Sequence, residues 1–113
     1  MSDLSSAAAV LDAIDAGERP ERAELRAAVR DTLTVLAEKW PGRNVEVRVP
    51  PYGAVQCGEG PRHTRGTPPN VIETDPATWL RLALGRQTWD EAMDAAKVSA
   101  EGSRADLSAV LPL

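Results

Sequence analysis

His63 is the only histidine of the chain, and Cys57 is its only cysteine. Glu59 lies between them. A thiol, an imidazole and a carboxylate this close in sequence could form a nucleophile and its base if a turn brought them together. The plainer reading competes with it. A lone cysteine on an alternating strand is more often a small packed apolar side chain. One histidine and one cysteine also fall short of the three or four ligands that zinc needs. No metal or other cofactor is expected.

Arginine could supply a second chemistry. Arg48, Arg62 and Arg65 could gather on one sheet face and hold an anion through paired guanidinium bonds. Glu46, Glu59 and Glu73 occur at a matching alternation, however, and favour cross-strand charge pairing instead. Gly58-Glu59-Gly60 lacks the further glycine and the strand-to-helix setting of a phosphate-binding loop, so it reads as a turn. Trp79 and Trp89 stand near the starts of two successive short helices. They could be core residues or the wall of an apolar pocket.

The elements that would position these residues follow from periodicity. Residues 3–16 predict a short amphipathic helix with Leu4, Ala7, Ala8, Leu11 and Ile14 on one face. Ser2 or Asp3 could cap it, and Gly17 could end it in a left-handed turn. Pro20 sits where the first residue of a second helix, about 20–39, is expected. Leu25, Val29, Leu33, Leu36 and Trp40 mark that helix, and Pro41-Gly42 ends it.

"NVEVRV" alternates Val45, Val47 and Val49 against Glu46 and Arg48, which predicts a half-buried strand. Ala54–Cys57 predicts its hairpin partner across "PPYG". Residues 62–65 predict a third, polar strand. The two prolines before Asn70 argue against a central strand over 67–70, and 71–74 resumes extended structure. Asp75-Pro76 then caps a helix over "ATWLRLAL", closed by Gly85. "TWDE" predicts a capping box from Thr88 to Glu91 and a helix over about 89–96. "KVSAEG" predicts a last strand. A weaker box, "SRAD", predicts a helix from Ser103 to Pro112. Strands and helices in separate runs mean an α+β fold: a four- or five-stranded, mainly antiparallel sheet with helices on one face.

Composition sets the limits. At 113 residues the chain is expected to be one domain, a helix pair over 1–40 followed by sheet and helices over 44–113. Alanine supplies 18 of its residues and phenylalanine none, so the core is thin. The net charge is −4, and no basic stripe is evident along any helix. That argues against nucleic acid and anionic membrane as main partners. No apolar run reaches the 18 or so residues of a membrane span. The acidic, short apolar start does not read as a signal peptide. With no disulfide possible, a reducing cytoplasm is the expected setting.

From about Arg48 to Leu113 the chain resembles a bacterial branch of the sterol-carrier-protein superfamily. "RVPPYGAVQC", "RHTRGTPPNVIETDPATWLRLALGRQTW" and "VSAEGSRADLSAVLPL" carry the resemblance. The middle segment is the most distinctive, with an acid-proline turn, a Trp-bearing helix, a glycine and a second Trp-bearing helix. A similar module closes the mycothiol-dependent maleylpyruvate isomerases. Their metal-binding helical domain has no counterpart here, so the isomerase activity does not carry over. The resemblance implies a non-enzymatic domain that holds a fatty acyl or sterol-like lipid between sheet and helices. Val47, Val49, Val71, Trp79, Leu82, Trp89, Leu107 and Leu111 would line that site. The alternative is an accessory protein-interaction domain in which the same residues simply fill the core.

Overall fold

The computed structural model describes residues 4–60 and 69–113. The expected strand over Arg62–Arg65 and the cap at Ser2 or Asp3 lie outside the described residues. Two helices come first, α1 (Ser5–Asp15) and α2 (Arg22–Lys39). Three strands follow: β1 (Val45–Val49), β2 (Gly53–Cys57) and β3 (Asn70–Thr74). Helices α3 (Pro76–Ala83) and α4 (Trp89–Asp94) lead to β4 (Val98–Glu101).

The local chemistry explains most boundaries. Gly17 takes φ +83°, a left-handed angle that suits glycine, and its amide bonds back to Ile14. The second helix starts later than expected. Glu21 is its N-cap, so Pro20 stands before the helix rather than in its first turn. In α3 the Asp75 carboxylate accepts from the Thr78 amide at 3.0 Å, and Pro76 fills the first turn. The capping box from Thr88 to Glu91 forms as expected. The helix it opens is short and ends at Asp94.

The strands form one sheet in the order β2-β1-β3-β4. β1–β2 and β3–β4 pair antiparallel, but β1–β3 pair parallel, with Val47 opposite Ile72. The α+β class is as expected, and the sheet is mixed. The reason is topological. Cys57 ends β2 beside Val45, at the beginning of β1, and Asn70 opens β3 on the other side of Val45, running the same way as β1. Asn70 therefore opens a central strand, against the expectation that 67–70 stay out of one. Pro69 precedes the strand and takes no ladder position in it.

Pleating sorts the sheet into two faces. Val45, Val47, Val49, Cys57 and Ile72 are buried beneath the helices. Helix α2 lies over β2, where Leu33 faces Gly53, and α1 packs on α2 and α3. Glu46, Arg48, Ala54, Gln56, Glu73, Ser99 and Glu101 occupy the opposite face. Arg48 is held there by Glu46 of its own strand, Nε to Oε1 at 2.9 Å, rather than across the sheet.

The expected helix over Ser103–Pro112 does not form. Arg104 gives its amide to the Asn70 side chain at 2.8 Å. The Asp106 carboxylate turns forward and accepts from Ser108, also at 2.8 Å. These two side-chain bonds, one from a distant residue and one local, take amides that a helical ladder would need. Val110 and Leu111 both bond to the Leu107 carbonyl, which leaves a single turn in an otherwise irregular strap.

Candidate functional site

Of the eight residues expected to line a ligand site, four sit at the seam between sheet and helices. Val47, Val49 and Trp79 have 0% exposure, and Leu107 has 1%. All four belong to the single buried core cluster. Trp79 also spends its one polar atom internally, since its Nε1–H donates to the Thr32 hydroxyl at 2.8 Å.

Val71 is elsewhere. In the parallel register it lies opposite Glu46, one step out of phase with Ile72, and so shares the face of Arg48 and Glu73. The expectation that it faces the helices is corrected by this register: paired with Glu46 and two residues before Glu73, Val71 falls on the opposite face of the sheet.

The remaining three come together. Leu82, Trp89 and Leu111 line a cleft of about 310 Å³ at one end of the molecule. Its walls come from the last turn of α3, the start of α4 and the C-terminal strap. The capping box orients Trp89, the first residue of α4, and Trp89 is 8% exposed. The Thr88 amide and hydroxyl hold the Glu91 carboxylate below the usual carboxylate range. Asp90, Gln87 and Ser108 place polar groups around an apolar floor.

The strap closes the cleft through few bonds. Leu113 donates its amide to the Ala83 carbonyl at 2.9 Å. The Lys39 ammonium, at the end of α2, donates to the carbonyls of Val110 at 2.6 Å and Pro112 at 2.8 Å. Gly85, at φ +77°, lets the strap approach, because a Cβ there would lie 3.3 Å from Pro112. The sequence reading missed Lys39, Ser108 and Pro112 because it assigned the strap to a helix. Only the terminal proline hinted otherwise.

The thiol reading loses its chemistry. Cys57 is fully buried, and desolvation pushes its thiol up to about 11 from a value near 9.0. At neutral pH it stays protonated and poorly nucleophilic. His63, Arg62 and Arg65 lie outside the described residues. No helix among the described residues is long and apolar enough to cross a membrane.

The described residues thus form a small α+β layer with one open sheet face and a cleft between α3, α4 and the C-terminal strap. Residues 21–113 match the family model described as "Bacterial SCP ortholog", and the chain belongs to this bacterial sterol-carrier-protein-like family. No curated protein matches the chain.

Proposed function

We propose that the chain is a non-enzymatic binder of an apolar ligand, a fatty acyl chain or a sterol-like lipid. The cleft of Leu82, Trp89 and Leu111 is its mouth. One observation carries the reading: an indole and two leucines of the expected ligand set converge on a concave site of about 310 Å³. A site for a small organic ligand typically has such apolar walls and few polar groups, with volumes from roughly 300 Å³ upward. Family membership supports the same ligand class. The strap is tied by a handful of bonds, so it can swing out and lengthen the cleft toward Leu107. A lone unpaired cysteine fits a cytoplasmic setting.

The test is recovery of bound lipid by native mass spectrometry, followed by titration of the stripped protein with a fluorescent fatty acid. Binding should quench Trp89 emission and raise the melting temperature, and Leu111→Asp should abolish both effects. If no lipid is recovered and fatty acyl ligands give no stabilisation, the reading fails.

A second reading rests on the zero exposure of Val47, Val49 and Trp79. A core packed this closely serves a protein-interaction domain equally well. In that case the chain would co-purify with one protein and ignore lipid.

A further inference from the structure

The solvent side of α2 carries two charged rows. Arg22, Arg26 and Arg30 follow one another every fourth residue, and all three are exposed. This is a basic stripe, which the sequence reading did not expect. Glu24 and Asp31, seven apart, lie on the other flank. Exposed Ala23, Ala27 and Thr34 run between them at helical spacing. The fold keeps the flanks apart. The basic row lines a groove of about 530 Å³ beside Pro51 and Tyr52. The acidic row lines one of about 630 Å³ against Ala9, Val10 and Ala13 of α1, with Glu18, Arg19 and Glu21 at its end.

This pattern forgoes what an isolated helix would prefer. Like charges four residues apart repel, and opposite charges at that spacing would have attracted. Arg22 also stands at the positive end of the helix dipole. Among the described residues, no ion pair engages Arg22, Arg26, Arg30, Glu24 or Asp31. The polar contact recorded for this group is from Arg30 Nε to the Tyr52 carbonyl, at 3.1 Å.

We propose that this ridge is a homodimer face, on which α2 of a second copy lies parallel to the first about a two-fold axis along the helices. That operation exchanges the flanks, so each basic row meets the partner's acidic row. The heights along the helix agree. Arg22 and Arg26 each differ from Glu24 by about 3 Å, and Arg30 from Asp31 by about 1.5 Å. An antiparallel two-fold pairing would set like flank against like flank. Ala23 and Ala27 let the backbones approach, and the α1 wall and the Pro51–Tyr52 turn widen the contact. Self-complementarity about a two-fold axis is the ordinary basis of a dimer. The inference does not depend on the lipid reading.

Sedimentation equilibrium of the full chain tests it. At low salt the mass should approach twice 12.1 kDa, and physiological salt should weaken association about tenfold. R22E/R26E/R30E should be monomeric, and so should E24R/D31R. Mixing the two should restore a heterodimer, because one variant carries acidic flanks and the other basic ones. All five changes are at exposed positions, and circular dichroism checks that both variants keep the fold. A wild-type chain that stays monomeric at low salt overturns the proposal. So does a dimer that both variants leave intact, or a mixture that does not associate.

Discussion

Trp79 and Thr32, far apart in sequence, meet inside the core, where the indole N–H donates to the threonine hydroxyl at 2.8 Å. The hydroxyl then shares its own proton between the carbonyls of Ala28 and Val29, at 2.8 and 2.9 Å. This chain of bonds pins α3 to α2 above the sheet. Thr32→Val keeps the volume but strands the indole donor, at a cost of about 1–3 kcal/mol. Trp79→Phe leaves the hydroxyl bonded to its own helix, so its cost comes from lost packing. Because both changes break one bond, Thr32→Val should cost less in a Trp79→Phe background than in the wild type. Urea denaturation of the four proteins measures this coupling, and simple additivity would argue against it.

The two faces of β3 make a second prediction. Ile72 is 1% exposed, and Val71 shares the Glu46 face. Ile72→Ala should therefore cost about 2–5 kcal/mol by opening a cavity. Val71→Thr should stay within about 0.5 kcal/mol of wild type, as for an ordinary surface change. Equal losses at the two positions would contradict the register described here.

Legibility in the sequence followed the range of the interaction. The valines of β1, the leucines of α2, the Asp75 cap and the Thr88–Glu91 box act within one element, and all were readable. The parallel pairing of β1 with β3 depends on where a connection crosses, and alternation carries no such information. The same gap misplaced Val71. The strap failed for a different reason: "SRAD" has the composition of a cap, but Asn70, a residue distant in sequence, takes the Arg104 amide. Val47, Val49, Trp79 and Leu107 are core alone, whereas Leu82 and Trp89 are core residues that also line the cleft with Leu111. Sequence shows which residues are apolar, but it does not show whether they meet one another or a void.

Cys57 makes stability depend on pH in a definite direction. Burial holds its thiol up to about 11, whereas an unfolded thiol titrates near 9.0. Above about 9 the unfolded chain loses this proton while the folded one retains it, so the contribution falls as pH rises. It is fully present below pH 9 and is lost through pH 11. Cys57→Ala should therefore close part of its stability gap to wild type across that window. Guanidinium denaturation at several pH values reads the change. A thiol that reacts rapidly with a disulfide reagent in the native state at pH 7 would argue against the buried environment.

Lys39 links the tie across the strap to the proposed ligand cleft. Its ammonium holds the Val110 and Pro112 carbonyls from an exposed position at the end of α2. Lys39→Met keeps the aliphatic stem and removes both bonds, freeing the segment that carries Leu111. An exposed tie of this kind contributes roughly 1 kcal/mol, so a bound fluorescent fatty acid should leave about fivefold faster. The melting temperature should fall by only about 4 °C, because the core beneath is untouched. Stopped-flow displacement separates the two effects. An unchanged release rate, with binding otherwise intact, would mean that ligand leaves by a route that does not involve the strap.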